Sequence, residues 1–186
     1  SERDNIDVFA KILPNFETRL RFLSDLFTKP KVSSALDGFC MDGDLRSGNI
    51  IIYVWRQRDA DVIAEQLNAA GVKGGIVVYH GGMDAGSRTK AQSKFMRGKA
   101  RICIATVAFG MGVNKSDVDA VVHLNLPNSL EHYLQEIGRA GRDGRPAKAL
   151  SLPLEEEVTI RHSLAHSDLI SRSQVSALFR KLRGVV

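Results

Sequence analysis

The sequence predicts an α/β fold: a parallel sheet covered by helices on both faces. Three observations carry that prediction. Its strand-like runs, such as Ile50 to Val54 and Ile102 to Ala105, are apolar throughout rather than alternating, as in strands buried on both sides. These runs alternate with segments of helical period, which is the order of a layered α/β domain. Several runs open into small-residue loops, Tyr79-His80-Gly81-Gly82 and Phe109-Gly110-Met111-Gly112 among them. In parallel sheets ligands gather at the carboxyl ends of strands, where such loops fall.

Taken in order, Phe16, Leu20, Leu23 and Phe27 lie at helical spacing and predict a first helix. Residues 28–48, rich in Pro, Ser, Gly and Asp, read as a loop or insertion. Asn49 to Val54 is a buried strand. Asp59 to Ala70 is a helix with Val62, Ile63, Gln66 and Leu67 on its inner side, stopped by Gly71. Ile76 to Tyr79 is the next strand. Asp84 caps a helix running to Met96, with Ala91 and Phe95 inward and Gly98 as the stop. Arg101 to Ala105 and Ala120 to Leu124 follow as strands. Asn128 with Glu131 has the spacing of a capping box for a helix from Leu130 to about Ile137, and Ala147 to Leu152 is a last strand. Residues 1–154 form one domain in this reading, with 155–186 a short helical tail.

A chain of 186 residues with 44% hydrophobic content suffices for one core plus extensions. Its formal charge of +5 is unevenly placed: Ala85 to Arg101 holds six basic residues and no acid. Such a field favours a polyanion, although a solvated helix face has the same composition. No run approaches the ~20 apolar residues of a membrane span, and the amino terminus shows no signal-like apolar segment, so a soluble, intracellular chain with no membrane partner is expected. Cys40 and Cys103 read as free thiols, and two cysteines make no four-ligand zinc set. His162 and His166 are spaced for one helix face but lack a completing ligand, so no metal is assigned.

The most informative stretch is Gln135 to Arg145, QEIGRAGRDGR. It spaces Arg139 and Arg142 so that two guanidiniums a helical turn apart reach one polyphosphate, and the planar fork of arginine matches phosphate oxygens better than lysine does. An exposed basic turn is the plain alternative. A phosphate-cradling loop is missing: Gly81-Gly-Met-Asp-Ala-Gly86-Ser87-Arg88 comes nearest, but Ser87 stands where the lysine is needed. No Asp-Glu-x-His or Asp-Glu-Ala-Asp sequence is present to hold magnesium.

Together, the run Ile50 to Trp55, Tyr79 to Met83, Ala105-Thr-Val-Ala-Phe-Gly-Met-Gly112 and Gly138-Arg-Ala-Gly-Arg-Asp-Gly144 resemble motifs IV, V and VI of the RecQ family of superfamily 2 DNA helicases. The resemblance is strong from about Asn49 to Leu154. It implies the second of two RecA-like motor domains, P-loop NTPase-like but without its own P-loop. It further implies ATP-driven 3′-to-5′ unwinding of DNA in replication, recombination or repair. ATP and Mg²⁺ would be bound mainly by an amino-terminal RecA-like domain preceding Ser1, so this chain alone is expected to be inactive and monomeric.

By that resemblance Arg142 is the arginine finger, Arg139 its companion, and Gln135 a residue that positions the pair or a water. The finger suits the charge spread over a transferring γ-phosphate. Gly110, Gly112 and Asn114 belong to the nucleotide side. The family usually has Asp at the position of Asn114 and Pro at that of Ser116; Asn keeps an acceptor for a ribose hydroxyl or an arginine but loses the charge. Thr106, His80, Gly81 and Arg56 match positions touching the sugar-phosphate backbone of single-stranded or partly duplex DNA, and Lys115 is assigned to a phosphate or inter-domain contact. Such contacts hold a strand without reading its sequence. Trp55, Phe109, His123 and Tyr133 read as packing residues. Arg56, and the lack of cysteine in 155–186, resemble the Rothmund–Thomson-type members without the usual zinc module, which implies a nuclear eukaryotic protein. Two alternatives stay open: a DEAD-box-like RNA helicase domain, and a nucleic-acid-binding module that has lost the motor.

Overall fold

Six parallel strands make one sheet in the computed structural model, which describes residues 4–29, 45–110 and 114–159. In chain order the elements are β1 (Ile6–Ala10), α1 (Phe16–Thr28), β2 (Asn49–Tyr53), α2 (Gln57–Ala69), β3 (Ile76–Tyr79), α3 (Ala85–Met96), β4 (Ile102–Ala105), β5 (Val118–His123), α4 (Leu130–Ile137) and β6 (Ala147–Ser151). The strand order is β1-β6-β5-β2-β4-β3.

Side-chain alternation sorts the core into two layers, one on each side of the sheet. Ile50, Ile52, Ile102, Ile104, Ala120 and Val122 meet α1 and α2 through Phe22, Leu23, Leu26, Ile63 and Leu67. Ile51, Tyr53, Cys103, Val121 and Ala149 face the other way, onto Phe95 of α3 and Tyr133 and Ile137 of α4. The all-apolar β2 and β4 are therefore central strands. A register shift beside Asn49 puts Val118 and Val121 on the same side, and the Asn49 amide donates to Asp119 Oδ2 at 2.7 Å there.

Two sequence readings change. β1 is an additional strand, paired in register with β6 at the sheet edge, and its alternation of Ile6 and Val8 with Asp7 matches an edge position. The cap of α4 is Ser129, whose hydroxyl accepts from the His132 amide at 3.2 Å; Asn128 lies one residue outside the helix. At the boundary read after Leu154 the chain stays bonded to the domain. Helical backbone resumes at Glu155, and Glu157 receives Asn125 Nδ2 at 2.5 Å and the Leu154 amide at 3.0 Å while lying 3.5 Å from buried Arg19. Most of the 28–48 segment, Cys40, His162, His166 and residues 160–186 lie outside the described residues.

Candidate functional site

The predicted site residues separate into two groups at opposite ends of the sheet. At the carboxyl ends of the neighbouring strands β2, β4 and β3 lie Trp55 and Arg56, then Thr106, then His80 and Gly81. Arg56 is exposed and occupies the N-cap position of α2 without a side-chain capping bond, its carbonyl accepting from the Asp59 amide at 3.1 Å and the Ala60 amide at 3.3 Å. The His80 ring is buried, with Nε2 3.5 Å from Asp61 of α2, so the loop presents the exposed backbone of Gly81 and Gly82 rather than the imidazole. A Cβ at Gly82 would clash only with the movable end of the exposed Gln57 side chain. Thr106 is buried, its amide donating to Tyr79 O at 3.2 Å. Trp55 is 43% exposed, so its packing beside the strand covers a little over half of it.

The second group sits at the amino end of β5. There the Gly141 amide donates to Val118 O at 2.8 Å and the Asp143 amide to Ser116 O at 3.2 Å. Gly141 has φ +58°, and a side chain on it would strike Asn5, Ala147 and Arg145 O, so the turn admits only glycine. From this turn Arg142 projects to the surface, its Nη1 donating to Asn114 Oδ1 at 2.8 Å and its Nε to Gly138 O at 3.3 Å. Of the two donors that the Asn114 carbonyl was expected to receive, the structure provides the arginine. Arg145 is held differently, by Asp143 at 2.7 Å and Asp119 at 3.6 Å, and the hydrogen bonds from its side chain and backbone amide keep the Asp143 carboxyl below the usual range.

The two arginines do not point together. α4 ends at Ile137, and Arg139 is partly buried, close enough to Tyr53 for its charge to oppose the strong upward push of burial on that phenol. Gln135 is exposed on α4. Gly110 closes a short 3-10 turn after β4, and Gly112 lies outside the described residues.

Lys115 is a correction. Its side chain is 5% exposed, with Nζ 2.9 Å from Asp117 Oδ1 and 5.6 Å from the Phe95 ring centre, so the charge is spent inside the domain and lowers the Asp117 carboxyl. Lys115 therefore leaves the nucleic-acid set. Local sequence does not show this burial, since the aromatic partner lies twenty residues earlier.

One segment joins the two groups. The connection from Thr106 to Asp117 leaves the carboxyl end of β4 and reaches the amino end of β5, with β2 between those strands. Phe109 pins it down, buried 4.7 Å from Tyr79 and 6.0 Å from Phe95, ring centre to ring centre.

With this geometry in place, the model of the helicase conserved C-terminal domain matches residues 32–144, more than half of the chain. The chain belongs to that family. Among curated relatives of this helicase domain, the ATP-dependent DNA helicase RecQ of Haemophilus influenzae is 43% identical over 146 residues, 78% of this chain and 23% of that protein. The ATP-dependent DNA helicase Q4 of Homo sapiens is 47% identical over 111 residues, 53% of this chain and 9% of that protein. The domain thus spans less than a quarter of each of these relatives. The C-terminal domain of the DEAD-box protein Dbp5 shares the fold, with a TM-score of 0.64 at 21% identity over 97% of this chain and 99% of that one. The RecA-like α/β fold is therefore established. Among the described residues no helix is long and apolar enough to cross a membrane, and no group of three or more His, Cys, Asp or Glu is placed to hold a metal ion.

Proposed function

We propose that this domain is the second motor domain of an ATP-dependent 3′-to-5′ DNA helicase of the RecQ type. In that role it supplies Arg142 to a nucleotide held mainly by an amino-terminal motor domain of the same protein. One observation carries the reading: Arg142 is exposed at the domain surface and its guanidinium is oriented by Asn114 Oδ1 at 2.8 Å and Gly138 O at 3.3 Å. An exposed guanidinium and an amide suit the phosphates of ATP; Mg²⁺ needs oxygen ligands, which the partner domain would provide. ATP bound there supplies the energy of translocation.

The chain's own residues divide the work. Arg142 stabilises negative charge on the transferring phosphoryl group, an effect worth ~10³ to 10⁵ in rate for arginine fingers. Asn114 orients it, and Arg139 and Gln135 complete the inner side of the cleft. Gly110 and Gly112 let backbone pass close to the nucleotide. At the other end Arg56, Thr106 and the His80-Gly81 loop grip the DNA backbone, and the 106–117 connection links grip to nucleotide. Arg56 favours the Rothmund–Thomson-type branch, and with it a protein acting in the nucleus; the domain by itself is a monomer in this reading.

Fluorescence anisotropy with labelled single-stranded DNA tests the grip. Affinity of the chain should be weak and fall with salt as counterions are released. Arg56→Ala should weaken it further and Arg142→Ala should leave it unchanged. Affinity flat across the salt series, or equal losses in both variants, would remove the division of roles.

A further inference from the structure

β5 ends in a histidine at a place where a doubly covered parallel strand ordinarily carries an apolar residue. His123 is fully buried, and its Nε2 lies 2.6 Å from Glu136 Oε2. Glu136 is itself buried on the last turn of α4, three residues before Arg139 and six before Arg142. The imidazole is stacked on Tyr53 at 5.4 Å with 20° between planes, and lies 5.1 Å from the Tyr133 ring.

His123 Nδ1 is buried with no hydrogen-bond partner among the described residues, so the contact with Glu136 is the hydrogen bond that orients the ring.

A buried carboxylate and imidazole are a poor device for stability alone, because an apolar pair of similar volume serves as well. What the pair adds is a single register for the end of α4. That register matters because the helix stops one residue later, at Ile137, and the two arginines leave immediately after it. The Glu136 backbone takes part as well, its carbonyl accepting from the Arg139 amide at 3.2 Å. Tyr53 closes the arrangement, stacked on His123 while its phenol feels the charges of both Glu136 and Arg139.

We propose that His123 and Glu136 are positioning residues whose 2.6 Å contact fixes the place from which Arg139 and Arg142 leave α4. The consequence for catalysis rests on the arginine-finger reading above; the consequence for structure does not. His123 is then more than the packing residue its apolar neighbours suggest.

Two experiments test it. In the ¹⁵N-labelled chain, a His123 Nε2–H signal and an Arg142 Nε–H signal displaced from that of a free arginine by its bond to Gly138 O are expected in the wild type and in Glu136→Gln, whose amide oxygen still accepts. Glu136→Ala should lose both. An unchanged Arg142 signal in that variant overturns the proposal whatever the enzyme does. In a protein that also carries the P-loop motor domain, Glu136→Ala should lower DNA-stimulated turnover about tenfold to a hundredfold, as for a displaced catalytic group. Glu136→Gln should stay within about threefold of wild type by the same reasoning. Placed in an Arg139→Ala/Arg142→Ala background, Glu136→Ala should add nothing, since residues that act through one another are not additive. Losses that multiply overturn the proposal. An arginine double variant with normal turnover would sink the finger reading and leave the spectroscopic test standing. If Glu136→Ala does not fold, His123→Phe keeps an aromatic ring beside Tyr53 and Tyr133, removes the donor and carries the same comparisons.

Discussion

Phe109 offers the sharpest test of how the link between the two ends of the site is held. Its ring is 1% exposed beneath the 106–117 connection, wedged against Tyr79 and Phe95. Phe109→Ala deletes the ring and leaves a cavity that backbone on one side and β-sheet on the other are slow to fill, at a cost of about 3–5 kcal/mol. Against a domain stability of roughly 5–15 kcal/mol, that is a large share. In urea, with a slope near 2 kcal/mol per molar, the unfolding midpoint should fall by about 2 M with the slope unchanged. Phe109→Leu preserves most of the volume and should cost less than about 1.5 kcal/mol. A midpoint within about 0.5 M of wild type in Phe109→Ala would mean that the ring carries no packing load, and would hand Phe109 to a ligand contact instead.

Three further outcomes are expected. Ser129→Ala should destabilise the chain by roughly 0.5–2 kcal/mol and Asn128→Ala by far less, because the cap bond to His132 comes from Ser129; urea midpoints decide, and the reverse order would restore Asn128 as the cap. Lys115→Ala should cost about 1–2 kcal/mol through the lost Asp117 pair and Phe95 contact while leaving single-stranded DNA affinity within about twofold; a large affinity loss in a folded variant would return Lys115 to the DNA-binding set. The Asp84 carboxyl is held below its usual value by the Ser87 hydroxyl and then by the Ser87 amide. A lowered native value means that its contribution is fully present above about pH 4 and is lost as pH falls through that lower value, so the acid branch of the stability profile should flatten in Asp84→Asn. An unchanged acid branch would contradict the cap.

The fold was legible because its central strands are so apolar. Nothing but burial on both faces accommodates Asn49-Ile-Ile-Ile-Tyr53 or Ile102-Cys-Ile-Ala105, and both are central in the sheet. β1 escaped because an edge strand is covered less completely, and Asp7 breaks its apolar run. The cap of α4 was misplaced by one residue because Asn128 and Ser129 are both good caps; the extended backbone at Ser129 decides between them. Site chemistry was legible as residue types and less so as directions. Arg139 and Arg142 have the spacing of one helical face, but α4 stops before them and Gly141 turns the chain with positive φ, so one side chain lies along Tyr53 and the other reaches Asn114. Lys115 and Trp55 show the same limit from opposite sides. A cation was drawn inward by a carboxylate and an aromatic ring, and a large apolar side chain was left half outside; both depend on tertiary neighbours that local sequence does not specify.

The most direct test of the central claim is the ATPase rate of a protein carrying this domain behind its P-loop motor domain, measured with single-stranded DNA and with single-stranded RNA, in wild type and Arg142→Ala. Strong stimulation by DNA, lost by ~10³-fold or more in Arg142→Ala with little change in DNA affinity, is the predicted result. Equal or greater stimulation by RNA, or an Arg142→Ala variant that hydrolyses ATP at the wild-type rate, would contradict it.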